Sequence, residues 1–401
     1  MRRIIFLPTT WILATLLFTS CEDDNTDVNN LENLDPATYS FERDGSTSVS
    51  FDGQTTRLDM AEALIADFKT PSSTEDTFIN RFAHEAGENN FDDADLNASD
   101  KSIRSKVAAS QDYFFTNTTD QAAIRADFES WISGQVNEVF PAWNTIASAG
   151  VAGNLQQAGG GTTRYINAKG LEYDQAFTKS LIGSLMVDQI LNNYLSSSVL
   201  DAGSNRTDNN NVTLADGKNY TNMEHKWDEA FGYLYGLEAD LENPELNKDS
   251  FLNKYLFRVV GDDDFSEFGN DIYDAFKLGR AAIVAGNYEL RDEQAEIIRK
   301  KISELIGIRV VYYLENGAND INADKAKAFH DLSEGYGFIY SLQFTREPNS
   351  NSSYFTKVEV DSYLNRLMQG NGFWDTTPEM LRAMSSEIAA RFDFTVEQAR
   401  N

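Results

Sequence analysis

The stretch RDEQAEIIRKKISELIGIRVVYYLENG, residues 291–317, decides the fold class of this chain. Its apolar residues recur three and four positions apart, which is the spacing of one face of an α-helix. Three other long segments share this spacing, whereas few runs alternate between apolar and polar residues as strands do. They are RLDMAEALIADFK at 57–69, TTDQAAIRADFESWISGQVNEVF at 118–140 and NAKGLEYDQAFTKSLIGSLMVDQILNNYL at 167–195. The sequence therefore predicts an all-α protein.

Residues at the ends of these segments predict where the helices begin and end. Asp120 and Asn167 are of the residue types that cap helix N-termini, and Gly317 follows a helix that we expect to end at Asn316. Residues 39–56 hold apolar residues among turn formers. We expect this segment to form a short hairpin or an extended cover over the helices.

The N-terminus has the pattern of a secretion signal. Arg2 and Arg3 precede an apolar stretch at 4–18, and two small residues then precede Cys21, the only cysteine of the 401 residues. The stretch is too short for a spanning helix. It resembles a bacterial lipoprotein signal, which implies cleavage after residue 20 and acylation of the Cys21 thiol. A plain secretory signal with a chance cysteine is the alternative.

The segment at 21–38 is polar and acidic and has no periodicity, so we expect a flexible tether between the lipid and the folded part. This organisation predicts a protein of the cell envelope, attached to the outer membrane through lipid on Cys21. Glu22, Asp23 and Asp24 are similar to the signal that sends some lipoproteins to the outer face of that membrane. A solvated linker explains the same residues.

Charge and cysteine usage exclude several functions. The formal net charge is −29, so the chain repels nucleic acid and attracts cations and cationic partners. Such acidity also simply keeps a secreted protein soluble. With its one cysteine used for lipid, the chain has none for disulfides, thiolate metal sites or thiol catalysis.

An eleven-residue pattern occurs twice, as HKWDEAFGYLY at 225–235 and HDLSEGYGFIY at 330–340. Each copy follows a helical segment that we expect to end in Tyr-Leu, at 194–195 and at 313–314. This predicts a duplicated helical hairpin and two similar bundles, which we place at 39–245 and 246–401. Four positions are identical between the copies: His225 and His330, Glu229 and Glu334, Gly232 and Gly337, and Tyr235 and Tyr340.

On a helix these four positions share one face. A glycine there indicates close approach of a neighbouring helix or of a ligand. We therefore consider Gly232, Gly337, Tyr235 and Tyr340 as ligand contacts. The histidine and the glutamate can form a local hydrogen bond that only fixes packing. Alternatively His225, Glu229, His330 and Glu334 meet at the interface of the two bundles and bind iron or another divalent metal.

The spacing of the histidine and the acid narrows this metal hypothesis. Di-iron bundles use Glu-x-x-His, three positions apart, and zinc proteases use His-Glu-x-x-His. Neither pattern occurs in the two copies. His84 borders an acidic loop, and we interpret it as a surface or capping residue.

Cys21, the segment YSFERDGSTSVSFDGQTTRLDMAEALIADFK at 39–69 and the helical remainder resemble a family of Bacteroidota lipoproteins, domain of unknown function 4856. This resemblance covers nearly the whole chain after the signal and implies no activity. The helix with a histidine and an acid also resembles imelysin-type proteins, whose family is associated with iron uptake. Those carry Gly-x-His-x-x-Glu, whereas here the acid stands four positions after His225 and His330.

Three functions stay open at this point. The first is a lipid-anchored binding protein, an accessory to uptake of iron, haem or another metal-bearing nutrient, working with an outer-membrane transporter. The second is a metal-dependent hydrolase with Glu229 or Glu334 as general base. The third is a glycan-binding lipoprotein in which tryptophans stack on sugars, although core packing also explains them. These are Trp131, Trp143, Trp227 and Trp374.

Overall fold

The computed structural model describes Leu34 and residues 36–401. The predicted signal at 1–20, Cys21 and most of the predicted tether lie outside the described residues. Asp35–Asn401 form one compact unit. Both predicted halves, 39–245 and 246–401, fall within this unit, and a continuous hydrophobic core runs through them. No helix in the described part is both long and apolar enough to cross a bilayer.

The described residues are mainly helical, as the periodicity predicts. Seventeen α-helices follow one another along the chain: α1 (Asp52–Asp67), α2 (Glu75–Phe82), α3 (Ala94–Ala98), α4 (Ile103–Lys106), α5 (Gln111–Phe114), α6 (Thr118–Gly134), α7 (Tyr173–Leu181), α8 (Ser197–Leu200), α9 (Asn205–Asn210), α10 (Asn222–Tyr235), α11 (Leu252–Val260), α12 (Phe268–Val284), α13 (Tyr288–Asp320), α14 (Lys325–Ser341), α15 (Lys357–Met368), α16 (Pro378–Ala389) and α17 (Val396–Ala399).

Shorter elements complete the described part. Two antiparallel hairpins pair β1 (Glu42–Arg43) with β2 (Ser46–Thr47) and β3 (Gly153–Gln156) with β4 (Thr163–Ile166). Three π-helical segments extend α6 and α7: Gln135–Val139, Ile182–Val187 and Ile190–Tyr194. Four 3₁₀ segments lie at Ala158–Gly160, Asp263–Phe265, Leu342–Phe344 and Gly372–Asp375.

The helix α13 lies at the centre of the fold and packs against α12, α14 and α16. Every residue from 302 to 311 is buried, so this part of α13 is covered on all sides. A helix that is enclosed in this way is expected to be apolar around its whole circumference. Most of these residues are apolar, and Arg309 is an exception.

The segment before α1 forms the hairpin that the sequence predicts. Asp44 and Gly45 both have positive φ, of 52° and 76°, which suits the two-residue turn between β1 and β2. Tyr39 stacks on Phe231 of α10, with ring centroids 3.7 Å apart. This N-terminal segment therefore covers α10.

A buried ion-pair network attaches the same segment to the helices. Arg280 of α12 donates to Glu224 at 2.9 Å and to Asp228 at 3.0 Å, and all three side chains are at most 1% exposed. Arg43 of the hairpin binds both oxygens of Glu224, and the Tyr39 hydroxyl donates to Asp228 at 2.7 Å. Since each buried charge has an opposite charge beside it, the network tolerates its burial.

Three predicted helix boundaries are wrong, two for a local reason and one for a tertiary reason. The cap of α6 is Asn117, and Asp120 lies in the first turn, where its backbone N–H donates to that cap. Asn167 instead stabilises a turn by accepting from the N–H groups of Lys169 and Leu171. Gly317 lies inside α13 and not at its end. It is a glycine because a Cβ there would lie 2.5 Å from Leu332 of α14.

Candidate functional site

The two copies of the repeat lie on α10 and α14, and their surroundings differ. On α10, His225 Nδ1 lies 2.9 Å from the carbonyl oxygen of Ser50, and its ring stacks on Tyr220. Its Nε2 is 4.0 Å from Glu229, which also pairs with Lys226. Burial lowers the pKa of His225, and the charge of Glu229 offsets only part of this effect. These contacts therefore favour the neutral form of His225.

On α14, His330 pairs with an acid from a distant segment. Its Nδ1 lies 2.8 Å from Glu172 Oε2, just before α7, and 3.1 Å from Arg164 Nη1 on β4. The nitrogen can either donate to Glu172 or accept from Arg164, and the shorter, oppositely charged contact with Glu172 is the stronger. Burial lowers the pKa of His330, but Glu172 more than compensates and raises it above its usual value.

Two polar atoms beside the His330–Glu172 pair have no hydrogen-bond partner among the described residues. Arg164 Nε and Glu172 Oε1 are 3.9 Å apart, which is too long for a hydrogen bond. Both atoms are buried, and neither has another partner among the described residues. Two buried, unsatisfied polar atoms at this separation are suited to a bridging water or to a polar atom of a ligand.

Glu334, one turn after His330, is held as a buried carboxylate. Lys179 of α7 lies 3.3 Å from its Oε1, and the Tyr255 hydroxyl of α11 donates to the same oxygen at 3.1 Å. Burial raises the pKa of Glu334, yet the charges of Lys179 and His330 outweigh it and lower the pKa to about 2. The site therefore keeps a fixed negative charge at every physiological pH.

His330 and Glu334 open onto two cavities. The larger has a volume of about 970 Å³ and the smaller about 450 Å³, and both are lined by His330, Glu334 and Lys254. We call the two together the His330 cleft. Its wall in the larger cavity combines aromatic rings with charges of both signs: Tyr255, Phe257, Arg258, Asp262, Asp263, Asp264, Arg309, Tyr312, Tyr313 and Asp331.

The structure does not bring the two His/Glu pairs into one contact network. Within the described part, the partners of His225 and Glu229 are separate from those of His330 and Glu334. No three His, Cys, Asp or Glu side chains of residues 36–401 lie close enough together to hold a metal ion. His84, which we interpreted as a surface or capping residue, is buried and lies 3.0 Å from Asn90 Nδ2.

The two repeat glycines lie at helix contacts. A Cβ on Gly232 would lie 2.5 Å from Phe51 beside α1, and one on Gly337 would lie 2.5 Å from Lys179 of α7. The tyrosines are also packed inside, at 2% exposure each, with Tyr340 donating to Asp127 at 2.8 Å. Close approach of a neighbouring helix, and not of a ligand, is therefore what this structure shows at both glycines.

The predicted tryptophans have different surroundings. Trp131 and Trp227 are buried, and Trp374 packs edge-on against Phe329. Trp143 is half-buried and stacks on Tyr165 with centroids 3.4 Å apart, at a cavity of about 460 Å³. This cavity shares Arg164 and several neighbours with the His330 cleft.

Several residues of the cleft were not predicted from the sequence. Glu172, which pairs with His330, and Arg164, Lys179, Tyr255 and Arg309 come from four segments, namely α7 with its N-cap, β4, α11 and α13, that tertiary packing assembles around α14. Lys179 and Arg309 carried a weak signal, because a charged residue at an otherwise apolar position of a helix needs a special environment.

These observations define a helical protein with a polar, partly enclosed cleft around a His–Glu pair. The chain belongs to the family described as domain of unknown function DUF4856, whose model matches residues 36–395. The comparison with curated proteins and the comparison with solved structures found no match.

Proposed function

We propose that this chain is a binding protein of the cell envelope that holds a small charged organic molecule in the His330 cleft. The observation that carries the proposal is the junction of the two cavities at His330 and Glu334, where buried charges of both signs face the same space. Concave sites with a few fixed polar groups among aromatic rings are typical of small-molecule binding.

The attachment to the envelope is the second part of the proposal and depends on Cys21. We expect acylation of Cys21 to tether the chain to the outer membrane, with an outer-membrane transporter as its partner. Replacing Cys21 by Ala in the full chain is the test. The variant should move from the membrane fraction to the soluble fraction of the envelope, and an unchanged distribution would contradict the tether.

An imelysin-like role in iron or haem uptake is a narrower version of the proposal. Binding of a bare iron ion requires a set of metal ligands, and residues 36–401 bring no three candidate side chains together. Charged organic molecules need no such set, because Arg, Lys and Glu at the cleft can bind their charged groups directly. The binding geometry therefore favours an organic ligand over a bare ion.

A thermal-shift panel tests the binding site. The chain from residue 21 contains the whole compact unit and is measured with amino acids, sugars, sugar acids, Zn²⁺ and Fe³⁺ at about 5 mM. We expect a charged organic compound to raise the melting temperature of the wild type but not of His330→Asn. The counterpart variant His225→Asn, in the other copy of the repeat, should respond like the wild type. The proposal would be contradicted if both variants lost the rise in melting temperature equally, or if no compound raised the melting temperature of the wild type.

A second function is favoured by one observation, the 2.8 Å contact between His330 and Glu172. A carboxylate that orients one nitrogen of a histidine leaves the other free to act as a general base in hydrolysis. A screen of chromogenic esters and peptides tests this function. Turnover that His330→Asn abolishes and His225→Asn retains would establish it in place of simple binding.

A further inference from the structure

Arg309 of α13 lies in the larger cavity of the His330 cleft without an acidic partner. Its side chain is only 5% exposed, yet within residues 36–401 no carboxylate lies within 4.0 Å of its nitrogens. Its Nε is buried and donates no hydrogen bond to any described atom. Two arginines of packed helices that are more deeply buried, Arg280 and Arg291, each have two carboxylates beside them.

The surroundings of Arg309 are aromatic. Its guanidinium carbon lies 4.0 Å from the ring centroid of Tyr312, 4.7 Å from that of Tyr313 and 5.6 Å from that of Tyr255. Stacking on tyrosine faces orients a guanidinium and partly compensates its desolvation. Stacking does not satisfy the N–H donors, because they lie in the plane of the guanidinium and point past the tyrosine faces.

A buried cation with no carboxylate in direct contact is costly unless something neutralises it. Glu334 lines the same cavity and attracts Arg309, but it makes no ion pair with Arg309, and its Oε1 is engaged by Lys179 and Tyr255. The partner that Arg309 lacks is therefore expected to come from outside the chain. A planar guanidinium fork matches the two oxygens of a carboxylate.

We infer that Arg309 is the anion-binding residue of the cleft and that the ligand is a small organic molecule carrying one carboxylate. This inference rests on the proposed binding function and names its ligand class. A single negative charge fits best, because Glu334 and Asp331 line the same cavity and repel a dianion such as phosphate. The tyrosine rings then contact the apolar part of the molecule.

The test compares carboxylates with a neutral counterpart. Binding of propionate, succinate, phenylacetate, phenylacetamide and inorganic phosphate to the chain from residue 21 is measured by isothermal titration at constant ionic strength. Propionate or phenylacetate should bind. Phenylacetamide, which is neutral, and succinate and phosphate, which are dianions, should bind about tenfold more weakly or not at all.

Two variants assign the effect to the guanidinium fork. Arg309→Met should weaken carboxylate binding by about tenfold or more, and Arg309→Lys, which keeps the charge but loses the fork, should weaken it less. Arg366→Met, which removes an exposed arginine paired with Glu387, is the matched control and should bind like the wild type.

The melting temperature of the ligand-free protein separates a ligand contact from a structural role. Because Arg309→Met removes a buried charge without an acidic partner, it should melt at the same temperature as the wild type or higher. A lower melting temperature would overturn the inference, as would equal binding by wild type and Arg309→Met or failure of both monocarboxylates to bind. Binding of a charged compound of the thermal-shift panel that depends on His330 but not on Arg309 would overturn this inference while leaving the proposed function intact.

Discussion

His330 Nδ1 lies 2.8 Å from Glu172 Oε2, although 158 positions separate the two residues in the chain. The repeat counterpart His225 has a backbone carbonyl as its Nδ1 partner instead. One copy of the repeat therefore carries a histidine that favours its charged form, and the other copy carries one that favours its neutral form.

This difference predicts opposite pH dependences for two variants. Glu172 raises the pKa of His330 in the folded state, so the pair stabilises the fold below about pH 6.5 and loses this contribution as pH rises through the raised pKa. Urea unfolding should show that His330→Gln costs more stability near pH 5.5 than near pH 8.5.

His225→Gln provides the matched control for this prediction. Burial lowers the folded pKa of His225, so the wild type loses stability as pH falls below about 6.5, where the unfolded histidine binds its proton first. The cost of His225→Gln should therefore shrink toward acidic pH. The same pH trend in both variants would contradict the assigned environments.

The buried carboxyl of Asp188 predicts a further pH effect. It lies between the two π-helical segments after α7 and accepts from the N–H groups of Ala109 and Ser110, both at 3.0 Å. Burial nonetheless raises its pKa to about 7, whereas an unfolded Asp titrates near 3.9. The unfolded state then ionises first, so this residue lowers stability progressively as pH rises from about 4 to 7.

Asp188→Asn tests this directly, since the amide keeps an acceptor for the two N–H groups and cannot ionise. In urea unfolding at a series of pH values, the wild type should lose stability relative to Asp188→Asn between about pH 4 and pH 7. Parallel stability curves for the two proteins would show that the carboxyl titrates normally.

How far the sequence predicts this molecule depends on whether a feature is local. The helical period of 291–317 identifies α13, and the Asp44–Gly45 turn identifies the hairpin, because both patterns act between near neighbours. The surroundings of His225 and His330 could not be predicted, since identical residues acquired different partners from distant segments. The helix end predicted at Gly317 was wrong for the same reason. The contact with Leu332 that requires a glycine there is tertiary and cannot be seen in the local sequence.

The ion pairs of Arg280 predict a large effect on stability. Arg280→Met leaves Asp228 and Glu224 buried without this cation, which should cost about 3–5 kcal/mol in the free energy of unfolding. Arg366→Met removes only an exposed pair with Glu387 and should cost at most about 1 kcal/mol. Urea unfolding gives both values, and similar costs would show that the network of Arg280 does not stabilise the N-terminal segment.

The contact of α14 with α7 predicts that Gly337 tolerates no side chain. A Cβ there would lie 3.0 Å from Ser180 N and 3.1 Å from Ala176 O, and these backbone atoms cannot move aside as a side chain does. Gly337→Ala should destabilise by about 1–3 kcal/mol despite the better helix propensity of alanine.

Gly261→Ala is the control for this effect. The nearest atoms to a Cβ on Gly261 are 3.5 Å away, so its melting temperature should stay near that of the wild type. If Gly337→Ala melts at the same temperature as Gly261→Ala, α14 and α7 are not in close contact at Gly337.

The central claim, that the His330 cleft is the binding site, is tested most directly by NMR of the histidine side chains. The chain has three histidines, so the imidazole Hε1 protons give three resonances that His84→Gln, His225→Gln and His330→Gln assign. On addition of the carboxylate that binds in the calorimetric test, the His330 resonance should shift while those of His84 and His225 stay in place. A shift of His225 with His330 unmoved, or no shift of any resonance, would contradict the claim.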